Sequence, residues 1–574
     1  MKRYFCCILL VINSFTILSA LPLRERIYLQ TDKQLYLAGE MVLLKLFTVD
    51  QMQIPLVLSK IAYIELVGDS IAQIQIMIEL TGGTGSGQMQ LPADFPAGFY
   101  RLIAYTQFMR NEGPEVFFEK NIAVLNTFLS GYHPEEGEQA LSKTVDVVQP
   151  ELQSPQRGQN LKLETLNLKP DQTTYTTRSR GHLILAGLPE NLYTLSVSVA
   201  GKDLIPVTES SPSLFQKNLL RPPAMFTDEF LPEYEGHIVT GKIIDNQTGK
   251  PVNDEVSVVS GISFPGEEGI RYFPGQNGQT SDVRFITSGI SGTKEIATVV
   301  HFQEEKYRID IQTPFISRFS PKQMPPLHID SASYDQLLDR SIALQAFRYF
   351  EEESSVNQSA SEPLFITKPT WSYPLDIYTR FTTMREVFIE FLTGARFRRN
   401  AAGKQEITVM VQDGIDRFSY GTMALVLLDG IPVIDHDEIY NYDPLTVERI
   451  NIYCGPVIMG GNYFDGIVEL ITYRRLYQGL NLNRSTQIFP YHVPQRPYQL
   501  YTPGYSEETN DCNWMPDSRH TLLWNPDIRT DGKATLRLPF DTSDLTGEFQ
   551  ATVEGITKEG QFLFATMFFK VSDP

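Results

Sequence analysis

Cysteine is scarce. Four in 574 residues, with Cys6 and Cys7 inside the first seven, leave only Cys454 and Cys512 for the rest of the chain. Two cysteines at that spacing make no disulfide scaffold; they leave either one bridge in an oxidising compartment or two buried thiols. Basic charge is also in short supply. With 49 Lys and Arg against 68 Asp and Glu, the formal charge is −19, and such a chain repels phosphate backbones and anionic lipid heads. Nucleic acid is therefore excluded as the expected partner. Long apolar runs are missing after the N-terminus, so no transmembrane helix is expected. Catalytic signatures are missing as well: no Gly-x-Ser-x-Gly, His-Glu-x-x-His or Cys-x-x-Cys occurs, and the eight histidines are scattered. Gly82 to Gly87 lacks the Lys-Ser/Thr of a phosphate loop and reads as a flexible hairpin tip. Ile434-Asp435-His436-Asp437-Glu438 places a His among acids, but contiguous loop residues rarely converge on one ion. No catalytic residue, cofactor or metal site is expected, and the chain reads as a non-enzyme.

What is present is a chain of several folded units. At roughly 100 to 200 residues per domain, the length implies about four or five of them, and 42 % hydrophobic residues with 36 Pro and 39 Gly describe ordinary globular material. The first residues set a compartment. Met1-Lys2-Arg3 is basic, Tyr4 to Leu18 mainly apolar, and Leu18-Ser19-Ala20 supplies a small-residue cleavage point, so 1–20 is expected to be a secretory signal. Alternating apolar and polar positions bounded by Gly, Pro, Asn and Asp recur almost throughout. Helical spacing is confined to Ser333–Glu352 and Met384–Leu392.

Ile27 to Glu40 alternates, turns at Asp32-Lys33 and turns again at Gly39-Glu40. Thr31, Asp32, Lys33, Tyr36, Gly39 and Glu40 fit a Thr-Asp-Lys-x-x-Tyr-x-x-Gly-Glu pattern, and this segment resembles the second macroglobulin-type domain of the α2-macroglobulin family; Ala38 stands where that family usually has Pro. Phe95 to Thr106 is similar to the Gly-x-Tyr strand that closes such sandwiches. The Cys-Gly-Glu-Gln thioester of the covalent protease traps is absent, since Cys454-Gly455 continues as Pro456-Val457. The resemblance implies a β-sandwich over 21–130, then a Glu/Gln/Ser/Pro-rich linker over 131–159 and a second sandwich over 160–230. Residues 231–330, opening with Gly236-His237-Ile238 and Thr248-Gly249-Lys250-Pro251-Val252, resemble carboxypeptidase-regulatory-like sandwiches, and 331–382 reads as a helical connector.

Residues 383–475 carry the most specific pattern. Met423 to Val433 is a buried strand ending at an Asp-Gly turn, Thr446 to Tyr453 a second strand, and Gly455 to Tyr473 a glycine cluster leading into a third. The stretch resembles the plug domain of TonB-dependent outer-membrane receptors through Asp429, Gly430, Val447, Glu448, Ile450, Gly455, Gly466, Ile467, Leu470 and Thr472. Tyr463-Phe464-Asp465 departs from that family's Tyr-Gly turn. A receptor of that kind needs several hundred residues of barrel after the plug, and about a hundred remain. The unit is therefore expected either to dock on an outer-membrane barrel or envelope complex in trans, or to serve as a rigid spacer.

Residues 476–517 form an aromatic and Pro-rich strap whose Tyr498, Tyr501 and Tyr505 are candidate ligand contacts, and 518–574 reads as a C-terminal β-sandwich. The expected fold class is mainly β: several β-sandwich (macroglobulin- or immunoglobulin-like) domains plus one small α/β plug-like domain. The expected function is a non-catalytic, exported adaptor at the outer membrane of a Gram-negative envelope. Its rivals are a module that binds glycan or peptide on the strap, and a non-covalent macroglobulin-like protease inhibitor using 131–159 as bait.

Overall fold

The computed structural model describes residues 23–127, 163–204, 209–252, 256–266, 270–278, 281–324, 327, 334–351, 368–413, 416–418, 422–459, 462–482, 485–495, 500, 505, 517–528, 530 and 534–573. The expected signal segment 1–20, the expected linker 131–159, Tyr498, Tyr501 and Cys512 lie outside these residues. The chain is mainly β.

Two sheets form the first sandwich. Arg26–Thr31, Met41–Val49 and Thr84–Gln90 make one; Leu35–Leu37, Phe118–Leu125, Gly98–Tyr105, Ile61–Val67 and Ala72–Glu79 make the other. Their inward side chains, among them Leu29, Leu44, Tyr63 and Tyr105, close one apolar core. Gly82 and Gly83 take left-handed φ of 58° and 75° at a tight turn. The rest of that glycine run is strand rather than flexible tip: a Cβ on Gly85 would sit 2.8 Å from the Glu79 carbonyl, and one on Gly87 2.6 Å from Ile78.

The segments 160–230 and 518–574, patterned as two sandwiches, are two halves of one. Asn167–Pro170 and Arg180–Ala186 share a sheet with Thr535–Asp541, while Leu192–Gly201 lies between Thr521–Asn525 and Gly547–Thr557 in the facing sheet. Phe562–Ser572 follows in that sheet and carries the short strands Thr174–Thr176 and Leu163–Thr165 parallel to it, and Leu183, Val197, Val553 and Phe569 fill the core between the two. Neither half alone has enough strands to cover its inner face.

The third sandwich, built from the 231–330 region, orders its strands Tyr307–Ile311, Ile238–Asp245, Asp282–Ile286, Tyr272–Asn277, Val259–Ser263 and Thr293–His301. A seventh strand comes from the strap. Gln487–His492 pairs antiparallel with Thr293–His301, and Tyr491 enters the core, its hydroxyl 2.9 Å from His237 Nε2. The strap is thus partly a sheet edge, because an alternating Gln-Ile-Phe-Pro-Tyr-His run beside an open strand gains a ladder of backbone bonds.

The helix Tyr334–Glu351 packs on the first sandwich instead of serving as a connector: Leu337 joins Leu35, Leu37 and Leu125 in a small cluster. Beneath it, the Thr31 to Glu40 motif becomes a buried ionic junction. Arg340 grips Glu40 side-on, donating from Nε and Nη2 at 2.7 and 2.6 Å, and Lys33 Nζ lies 3.2 Å from the same carboxylate. Asp32 accepts from Tyr36 Oη at 2.7 Å and from Thr521 Oγ1 of the second sandwich at 2.8 Å. Burial works against ionising Glu40, yet Arg340 and Lys33 hold its carboxyl well below the usual range. The motif thus does more than turn the chain. It bolts the first sandwich, the second sandwich and the helix together, with Tyr28 Oη donating to Glu554 at 2.8 Å as a further tie.

Candidate functional site

The plug-like unit is a five-stranded mixed sheet ordered Trp371–Pro374, Val447–Met459, Asn462–Thr472, Leu425–Leu428, Ile431–Val433. Trp371–Pro374, assigned by pattern to the connector, belongs here. Successive side chains of Leu425–Leu428 point to opposite faces and all are buried. Val426 and Leu428, with Ile450, Ile452, Val468 and Leu470, face the unit's own helix Met384–Glu390. Leu425 and Leu427, with Tyr453, Phe464 and Ile467, face Ile270, Tyr272 and Val299 of the third sandwich. Both faces of the sheet are therefore used up inside the molecule.

The motif residues fall at the two ends of this sheet. Asp429 (φ 49°) and Gly430 (φ 85°) form a two-residue hairpin between Leu428 and Ile431, with both central residues left-handed as a type I′ turn requires. The buried Asp429 carboxylate accepts from Thr472 N at 2.7 Å, Thr472 Oγ1 at 2.6 Å and Tyr477 N at 2.8 Å. Gly430 lies against the third sandwich, where a Cβ would come 3.2 Å from the Phe264 carbonyl. Glu448 is partly exposed at the same end, 3.5 Å from Arg449. Gly455 and Gly466 lie at the far end. Cys454 stands opposite Gly466, where a Cβ would come 2.4 Å from the Tyr453 carbonyl. Asp429, Gly430, Gly466 and Thr472 are thus architectural, holding turns and close strand contacts rather than presenting chemistry.

The other candidates disperse. His436 is buried, its Nδ1 accepts from Ile407 N at 2.8 Å, and burial pulls its pKa down to about 4. Asp435 caps the short helix His436–Tyr440 and pairs with Lys404, Asp437 accepts from Gln405 N, and Glu438 accepts from Asn481. Those four side chains point to four different partners. Cys454 is half-buried, which pushes its thiol up to about 11. Tyr505 turns inward, donating to Asp517 at 2.9 Å beside the Arg178 guanidinium.

Part of what the unit presents outward is an apolar group and a basic groove. Tyr473 donates to Asp376 at 2.7 Å and its backbone N–H bonds the Thr446 carbonyl. These bonds gather Ile377 (71 % exposed), Leu445 (50 %) and Tyr473 (47 %) on one side of the sheet end. Helix Met384–Glu390 adds Ile389, 64 % exposed, between two open grooves. One of these carries Arg385, Arg396 and Arg399. Motif and periodicity leave that basic stretch aside; its signal is Arg396-Phe397-Arg398-Arg399 within so acidic a chain.

Sheets and site together define a class: a multi-domain β-sandwich protein carrying one mixed α/β unit whose outer surface, not its motif, is free. No family model matches the chain, and no curated protein matches it. Among solved structures, it is similar to the alpha-2-macroglobulin of Salmonella reacted with methylamine, at 11 % identity and a TM-score of 0.24, over 96 % of this chain and 40 % of that one. It is similar to trypsin-activated alpha-2-macroglobulin from Escherichia coli at 10 % identity and a TM-score of 0.23, over 96 % and 42 %. The E. coli adhesin FdeC aligns at 10 % identity and a TM-score of 0.13, over 54 % and 66 %. The chain spans about two fifths of the length of those alpha-2-macroglobulins. Likeness this distant carries no argument, and the fold class stands on the sheets themselves. No helix of the described residues is long and apolar enough to cross a membrane.

Proposed function

We propose that this chain is a non-catalytic adaptor of the cell envelope, exported and associated with the outer membrane, which docks on an outer-membrane barrel or transport complex through its plug-like unit. The observation that carries the reading is the exposed apolar group Ile377, Ile389, Leu445 and Tyr473 on a unit whose sheet is already covered on both faces. Water-exposed apolar side chains gathered on one unit mark an interaction surface. The macroglobulin-like and regulatory-like sandwiches act in this reading as a rigid mount, made so by the shared cores and the Glu40–Arg340 junction.

The test keeps the fold and changes the surface. Replacing Ile377, Ile389 and Leu445 together by Ser, all at exposed positions and leaving the bonds of Tyr473 in place, is expected to abolish co-purification with a barrel from detergent-extracted envelopes while the melting profile stays unchanged. Retention of the barrel by the triple variant sinks the docking reading. The strap reading has less support, because Tyr505 is engaged by Asp517.

A further inference from the structure

The groove of about 790 Å³ between helix Met384–Glu390 and strand Ala395–Arg399 has the makings of a peptide slot. Phe388, Leu392 and Phe397 give it an apolar floor, Arg385, Arg396 and Arg399 line it, and no carboxylate does. All three arginines are exposed, and none forms an ion pair or side-chain hydrogen bond among the described residues. Lys404 on the same hairpin is satisfied by Asp435 at 2.9 Å.

One wall of the groove is an open strand edge. Ala395–Arg399 pairs only with Gln405–Val409 among the described residues. The hairpin is bracketed by Asn400 N donating to Lys404 O at 2.9 Å and Met410 N donating to Gly394 O at 2.8 Å. Hydrogen-bonded positions alternate between those brackets, so Arg396 and Arg398 exchange bonds with the paired strand. The N–H and C=O groups of Ala395, Phe397 and Arg399 therefore point to the other edge, where no partner lies among the described residues. Edges of this kind accept an added strand, with backbone bonds giving affinity and flanking side chains giving choice. The arginines repel a second copy of the same edge and attract carboxylates.

The geometry points to a binding site for an extended, carboxylate-rich segment of a partner protein, added as a strand on the Ala395–Arg399 edge with its acids on Arg385, Arg396 and Arg399. This deepens the docking reading above and rests on it, by naming the chemistry of the partner segment. The probe is a fluorescein-labelled Glu-Val-Glu-Thr-Glu-Val-Glu-Thr peptide, titrated by anisotropy against the full chain, beside a counterpart with Lys for Glu. The acidic peptide is expected to bind at least about tenfold tighter and to weaken in 0.5 M salt, where the screening length is only about 4 Å. The Arg396→Glu/Arg399→Glu variant, and methylation of alternate peptide nitrogens, should each weaken binding by about tenfold or more. Equal binding of the two peptides, or binding indifferent to the arginine change or to methylation, overturns the site. Should the hairpin variant melt early, Arg385→Glu on the helix asks the same question. Co-purification separates the two ideas. Loss of the barrel on carrying the arginine change is the supporting result. A barrel still recovered overturns the groove as the dock and leaves the adaptor reading standing; no barrel even with the unaltered chain defeats the adaptor reading, and the anisotropy alone then decides the groove.

Discussion

Glu40→Gln removes one charge from the buried junction and almost nothing else. The carboxylate it replaces accepts from Nε and Nη2 of Arg340 and faces Lys33, and the side chains of Glu40 and Arg340 are only 7 % and 5 % exposed. Breaking a buried pair by neutralising one member strands the other charge and costs about 3–5 kcal/mol. Removing both charges should cost far less, so Glu40→Gln/Arg340→Met is expected to lie within about 1–2 kcal/mol of the parent; with each single variant at about 3–5 kcal/mol, the coupling is about 4 kcal/mol or more. The assay is urea unfolding followed by Trp524, which stands opposite Ser198 on the second sandwich and shares a strand with Thr521 of the junction, with Trp371 and Trp514 replaced by Phe. A chain of several domains does not unfold in one step, so the transition read is the one that moves the Trp524 signal. At a slope of about 2 kcal/mol/M the single variant should lower its midpoint by about 2 M. A drop under about 0.5 M, or a double variant as weak as the two singles summed, refutes the account of the junction.

Other outcomes follow from the same geometry. Because the folded Glu40 carboxyl is held low, its stabilising contribution is full above about pH 4.3 and is lost as pH falls below that value; Glu40→Gln should flatten acid unfolding of the Trp524 transition there. His301 and His436 run in a higher window. Burial lowers both to about 4, so the unfolded chain binds protons first, and stability should fall between pH 6.5 and pH 4, by up to about 3 kcal/mol for each; differential scanning calorimetry of His436→Gln should show a shallower loss. Asp429→Ala orphans Thr472 N and Tyr477 N and should destabilise the plug-like unit by about 3 kcal/mol, with Asp429→Asn recovering part, as read by hydrogen exchange of Asn462–Thr472. Gly466→Ala drives a Cβ to 2.4 Å from the Tyr453 carbonyl, and overpacking of that kind should cost about 3 kcal/mol in the same exchange measurement.

Local features were legible. Helical spacing over Ser333–Glu352 corresponds to the helix Tyr334–Glu351, and the Asp429-Gly430 pair forms the hairpin its chemistry demands. Strict alternation over Tyr193–Val199 lies within the strand Leu192–Gly201. What alternation cannot carry is the partner. It says that one face of a strand is buried, not which edge it joins, and neighbours in sequence are the default expectation. Arg180–Ala186 therefore looked like part of a small sandwich of its own, whereas its partner Thr535–Asp541 lies some 350 residues downstream. The same blindness hid the role of Asp32 and Glu40. Their turn-forming chemistry was visible at once, but their burial depends on Thr521 and Arg340, which nothing local announces. At the plug-like unit, the motif located the sheet and its turns while the surface free to act lay elsewhere. Exposure of Ile377 and Leu445 becomes apparent only once the strands are assembled.

The central claim is that the plug-like unit docks on an outer-membrane barrel, and the direct measurement is crosslinking of the tagged chain in intact envelopes followed by mass spectrometry of the captured peptides. The account predicts one outer-membrane barrel, joined through residues between Trp371 and Leu482. Recovery of no barrel, or of crosslinks confined to the sandwiches, would contradict it.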